Sequence, residues 1–175
     1  DLPSAQVLDL EVAAVPLRAD PRDALLIRPE HFKAEGDSLP LKFSARVGTS
    51  SARRKAQLLS LRGDLELSDI RGNVPTRIDK LRNGDLDSIV VAAAALERLG
   101  YEPVDLKLEL LDPRIFVPAP AQGALALEIR RNDYYMASLL TELHDPIGYR
   151  AVAAERGLLA MLQGGCQVAL GAHAT

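Results

Sequence analysis

The spacing of apolar and polar positions changes several times along the chain, and each change marks an element. Val7 to Arg18 has the β-branched and apolar content of a strand and runs into Asp20-Pro21-Arg22-Asp23, a turn signal. Ala24 to Arg28 reads as a second strand. From Val47 onward, short apolar runs alternate with amphipathic stretches. Arg46-Val47-Gly48 predicts a strand, and Ala52 to Leu61 a helix whose Leu58, Leu59 and Leu61 keep helical spacing. Leu65 to Ile70 predicts the next strand, followed by a helix with Pro75 at its first position and Asn83-Gly84 at its end. Ser88 to Ala92 predicts a buried strand and Ala93 to Leu99 a short helix stopped at Gly100. Strands alternating with helices build an α/β layer.

Ile115 to Gly123, with Pro118 and Pro120, predicts an extended linker, after which Ala124 to Ile129 alternates like a strand. The stretch from Asp20 to about Phe116 is therefore expected to form an α/β lobe, flanked by strands of a second lobe and joined to it by two crossings. Ligands of such two-lobed proteins lie between the lobes. A long helix is expected with Asp145 as cap, Pro146 first, and Ile147, Ala151, Ala154, Leu158 and Met161 as its apolar face. Gly164-Gly165 should end it and deliver Cys166 onto a loop.

Composition narrows the class. Hydrophobic residues make up 47% and charged residues 26%, the balance of a globular chain rather than a disordered one. No apolar run is long enough to cross a bilayer, and Asp1-Leu2-Pro3 lacks the pattern of a signal peptide. The first residue is not Met and the last ones follow a Gly-rich turn, so the chain reads as a segment of a longer protein. One cysteine excludes an internal disulfide, and His31, His144 and His173 lack ligand spacing, so no metal is expected. A reducing compartment, and hence a cytoplasmic location, fits best.

Charge changes the picture more than composition does. The net charge is -3, yet residues 46 to 82 hold nine Arg or Lys against four Asp or Glu, +5 locally against -8 for the remainder. A basic stretch implies an anionic ligand, which charge alone leaves open between nucleic acid, phosphate and carboxylate. Two helix starts lie in it, Thr49-Ser50-Ser51-Ala52-Arg53-Arg54 and Arg71-Gly72-Asn73-Val74-Pro75-Thr76-Arg77. Free N–H groups, hydroxyls and guanidiniums there could form two anion sites, or simply caps beside solvated arginines. Arg98 could complement a helix C-terminus, and Gln122-Gly123 could be a hinge or a turn. Cys166 is either an accessible thiol or a small buried side chain, with no histidine placed to activate it. The chain has seven aromatic residues, four Tyr and three Phe, and none interleaves with these arginines, which argues against an RNA surface.

Four strings in order, Val47 to Arg54, Asp69 to Arg77, Ala92 to Gly100 and Leu162-Gln163-Gly164-Gly165-Cys166-Gln167-Val168, resemble the porphobilinogen deaminase family. Asp20-Pro21-Arg22-Asp23-Ala24 and Pro120-Ala121-Gln122-Gly123-Ala124 extend the resemblance over essentially the whole chain. The resemblance implies an enzyme that deaminates porphobilinogen and joins four units head to tail into hydroxymethylbilane, on a dipyrromethane cofactor that it makes from substrate. It implies a thioether from that cofactor to Cys166, and it makes Asp1-Leu2-Pro3 the end of the family's His-Ser-Met-Lys-Asp-Val-Pro motif. Asp1 then matches the catalytic aspartate, which also contacts the cofactor. By position, Ser51, Arg53 and Arg54 would hold the cofactor, and Arg71, Arg77 and Arg98 the substrate and growing polypyrrole. Gln122 and Gly123 would belong to the hinge. Acetate and propionate groups on each pyrrole suit the planar fork of arginine.

The family fold has two lobes like those of periplasmic binding proteins, with hinge crossings, and a third α+β domain. On that map residues 1–17 and 124–141 are part of the first domain, 22–116 the second, and 146–175 open the third, carrying the cofactor cysteine. A monomer is expected, with porphobilinogen and the linear polypyrrole as its partners and neither nucleic acid nor membrane. The family's N-terminal half-domain and most of its third domain are absent from the sequence. The competing expectations are a non-catalytic binding module for a small carboxylate and a truncated, inactive deaminase.

Overall fold

The computed structural model describes residues 7–33, 39–162 and 169–175. Asp1 and Cys166 lie outside the described residues. Seven strands and five α-helices are present among them: β1 Leu10–Ala14, β2 Asp23–Ile27, β3 Arg46–Gly48, α1 Ala52–Leu61, β4 Glu66–Ser68, α2 Val74–Arg82, β5 Ser88–Ala92, α3 Ala93–Arg98, β6 Lys107–Leu110, β7 Leu127–Arg130, α4 Tyr134–Leu140 and α5 Pro146–Met161. The fold is α/β, as the alternating pattern predicts. A five-stranded sheet runs in the order β4-β3-β5-β2-β6, and β1 pairs with β7 in a separate two-stranded sheet. β3 is parallel to β4 and β5, whereas β2 is antiparallel to β5 and β6.

β2 is buried along its whole length because both faces of the sheet are covered. Ala24 and Leu26 join Ile78, Leu81 and Ile89 on one face, while Leu25 and Ile27 join Val47, Leu58 and Phe116 on the other. The helices start at caps that the sequence announces. Ser51 Oγ accepts the Arg54 N–H and Asn73 Oδ1 accepts the Thr76 N–H at 3.0 Å. α2 begins one residue earlier than predicted, at Val74, which puts Pro75 in its second position. β6 and α4 are elements that the sequence pattern does not reveal. β6 is an exposed edge strand, and α4 buries none of its residues, so neither carries a strong burial period.

The apolar face predicted for α5 is corrected. Val152 and Glu155 are the residues it buries, while Ile147 is 69% and Met161 84% exposed. The buried stripe is turned by one residue, about 100° around the axis. The reason is ionic: Arg18 Nη1 and Nη2 donate to Glu155 Oε1 and Oε2 at 2.8 and 3.0 Å. Glu155 also accepts the backbone N–H groups of Ala121 at 2.6 Å and Ala174 at 2.8 Å, so every lone-pair direction of a buried carboxylate is used.

Two segments, 15–22 and 111–126, cross between the sheets and are bonded to each other. The Ala19 N–H donates to Gly123 O at 3.1 Å, Arg18 Nε to Gln122 O at 2.9 Å and Gln122 Nε2 to Pro21 O at 2.7 Å. Gly123 has φ +82°, and a Cβ there would stand 2.6 Å from Ala19 O. Close approach and a left-handed turn both require glycine at this position.

Candidate functional site

β3 and β4 are each followed by a short loop and a helix and β5 by a helix at once, so the starts of α1, α2 and α3 collect at the carboxyl ends of three parallel strands. Open α/β sheets bind ligands at that edge. Ser50 ties the first two of these loops together. Its hydroxyl donates to Ile70 O at 2.8 Å and accepts the Ile70 N–H at 3.0 Å.

Beneath the loops, Asp23 opens β2 and is fully buried. Its Oδ1 accepts from Arg54 Nε at 3.0 Å, Arg54 Nη2 at 2.7 Å and Gln122 Nε2 at 3.0 Å. Its Oδ2 is in ionic contact with Arg53 Nη1 at 2.8 Å, off the axis of a hydrogen bond. Arg53 is itself buried, donating from Nη1 to Val117 O at 2.6 Å and lying 5.9 Å from the centre of the Phe116 ring. Burial pulls its guanidinium below the usual arginine range, and Asp23 works against that pull.

Arg54 faces outward from this knot into a cavity of about 510 Å³. Gly72, Asn73 and Arg77 line one side of the cavity, and Val91 and Leu99 contribute apolar wall. Arg77 Nε donates to Gly72 O at 2.8 Å. Burial, then the nearby Arg54 charge, lower the Arg77 pKa, and among the described residues no carboxylate pairs with it. A cation in that position gains from an incoming anion.

The predicted site residues divide accordingly. Arg54 and Arg77 meet at the cavity. Ser51 caps α1, Arg53 lies behind the wall, and Arg71 is exposed beside the α2 start, its carbonyl accepting from Lys80 Nζ at 3.1 Å. Arg98 Nη2 donates to Gly123 O at 2.7 Å, which ties the end of α3 to a crossing segment. Gln122 contacts both the other crossing and Asp23. Asp23 is a site residue that the sequence reading missed. The available signal was a carboxylate heading a five-residue buried strand, which demands a cation beside it. Among the described residues, no cluster of His, Cys, Asp and Glu could hold a metal ion.

The fold and the site together define an α/β protein that gathers guanidiniums around a partly apolar cavity at the carboxyl ends of its parallel strands. The chain is a member of the porphobilinogen deaminase family: the family model described as porphobilinogen deaminase, dipyromethane cofactor binding domain, matches residues 1–138. It is 51% identical over 174 residues to the porphobilinogen deaminase of Roseiflexus castenholzii, covering 99% of this chain and 55% of that protein. It is 44% identical to that of Syntrophobacter fumaroxidans, covering 99% of this chain and 54% of the relative. The Mycobacterium tuberculosis protein is 48% identical, with the same two shares. The chain thus spans about half the length of the curated relatives it matches. Among solved structures, an ancestral cationic amino acid solute binding protein is similar at 10% identity with a TM-score of 0.48, over 87% of this chain and 57% of that one.

Proposed function

We propose that this chain supplies the cofactor- and substrate-binding part of an enzyme that deaminates porphobilinogen and joins four units head to tail into hydroxymethylbilane. The observation that carries the reading is the pairing of Arg54 and Arg77 across one cavity, with no carboxylate on Arg77 among the described residues. A dipyrromethane group fits this lining by its chemistry: apolar wall suits pyrrole rings, and guanidiniums suit acetate and propionate. When bound, that group supplies the pyrrole carbon to which new units are joined.

Arg54 would hold cofactor carboxylates from above the Asp23 knot, with Ser51 and Arg53 supporting the start of α1. Arg77, with Arg71 and Arg98, would receive the carboxylates of incoming substrate and growing chain. Cys166 would carry the thioether. Asp1 would stabilise positive charge that develops as ammonia leaves, and manage pyrrole N–H protons. Gln122 and Gly123 would serve at the hinge between the first domain (1–17 and 124–141) and the second (22–116), and 146–175 would open the third. A cytoplasmic monomer belongs to the same reading.

Intact mass of a full-length family protein bearing this segment, followed by peptide mapping, tests it. Added mass equal to two linked pyrrole units on the Cys166 peptide, with turnover of porphobilinogen, is expected. A bare polypeptide mass, with porphobilinogen bound but returned unchanged, would support a non-catalytic binding module instead.

A further inference from the structure

Among the described residues, several ion pairs match one arginine to one carboxylate: Arg18 with Glu155, Arg62 with Asp64 and Arg114 with Asp112. At Asp23 the ratio is different. One carboxylate, with 0% exposure, faces two guanidiniums whose side chains are 5% and 11% exposed. Among the described residues the knot holds one more positive than negative charge, with Arg54 on the cavity lining, which is more than a fold-stabilising pair needs. The arrangement also dictates how Arg54 is held. Its Nε and Nη2 are fixed by Asp23 Oδ1, and its Nη1 donates to Val90 O at 3.1 Å. Three of the five N–H donors of a guanidinium are so engaged, leaving one on each terminal nitrogen.

We propose that Asp23 is a positioning residue of this site: it anchors the Arg54 guanidinium from below so that its two remaining N–H groups present themselves to a ligand carboxylate in the cavity. The carboxylate touches no ligand itself. It removes the rotamer freedom that a long arginine would otherwise lose on binding, so part of the ordering cost is met before the ligand arrives. Gln122 Nε2 shares the same oxygen, which ties the orientation of Arg54 to the second crossing. The inference rests on the reading of the cavity as a carboxylate site.

The test is calorimetric binding of a dipyrromethane bearing acetate and propionate groups to a cofactor-free, full-length protein carrying this segment and to its Asp23→Asn, Arg54→Lys and double variants, each checked for cooperative thermal unfolding. Asp23→Asn is expected to weaken binding about tenfold, the scale of one charge-assisted hydrogen bond. In the Arg54→Lys background, Asp23→Asn should add little, because its effect runs through Arg54. Asp23→Glu keeps the charge and displaces it by one methylene, so it serves if Asp23→Asn does not fold, and it too should weaken binding. A folded Asp23 variant that binds as tightly as the parent, or losses that add fully in the double variant, would overturn the positioning role. A parent protein that takes up no dipyrromethane would overturn the functional reading, and the role with it.

Discussion

Arg18 and Glu155 meet in a two-pronged ion pair although they stand 137 positions apart, and the acid is almost wholly enclosed at 1% side-chain exposure. Through it, α5 is fastened to both crossings and to the segment at Ala174. Glu155→Gln should destabilise the chain by about 3 kcal/mol, since breaking a buried pair leaves the partner charge uncompensated. Urea unfolding of the variant measures it, and a change under about 0.5 kcal/mol, the scale of an ordinary surface substitution, would refute the fastening role.

Gly123→Ala should be costly because the new Cβ meets the carbonyl of Ala19, part of the other crossing's backbone. Gly100 offers the control: it too has positive φ, but nothing lies within 4 Å of the position a Cβ would take. The expected loss is about 1 kcal/mol for Gly100→Ala and about 3 kcal/mol or more for Gly123→Ala, read from thermal melts.

Arg77→Ala should separate binding from stability. Arg77 gives up a backbone hydrogen bond but no ion pair among the described residues, so unfolding free energy should move by no more than about 1 kcal/mol. Porphobilinogen binding should weaken tenfold or more, roughly the contribution of a charge-assisted contact. Equal losses in both measurements would mean that the side chain serves the fold instead.

Acid should loosen the base of the lobe. Burial raises the Asp87 carboxyl, but hydrogen bonds from the Arg46 side chain and backbone prevail and hold it below the usual aspartate range. A folded-state pKa lower than the unfolded one gives stability that is present above the unfolded value of about 3.9 and lost as pH falls through the folded value. Stability followed by circular dichroism should therefore decline below about pH 4. Asp87→Asn should flatten that decline, and an unchanged acid profile would exclude the contribution.

Much of the lobe was legible because its strands are short apolar runs bounded by caps. Arg46–Gly48, Ala52–Leu61 and Ser88–Ala92 appear with their predicted bounds. β6 and α4 were hidden because they bury little, and burial is what writes period into sequence. α5 was misread by one residue because its inward face carries Glu155, a residue that hydropathy assigns to solvent. The same blindness hid Asp23. Both are charges enclosed by arginines that lie 30 to 137 positions away, and no local pattern encodes such a partner.

The antiparallel pairing of β2 with β6 brings the strand that enters the five-stranded sheet next to the strand that leaves it, with Ala24 opposite Leu110. The two crossings consequently run as a pair of adjacent straps, joined at Ala19 and Gly123. A body hung from two adjacent straps can rock about the line they define. Sliding one strap past the other would break the bond between them. The bonds that Ala19 and Arg98 make to Gly123 O would thus resist sliding more than rocking.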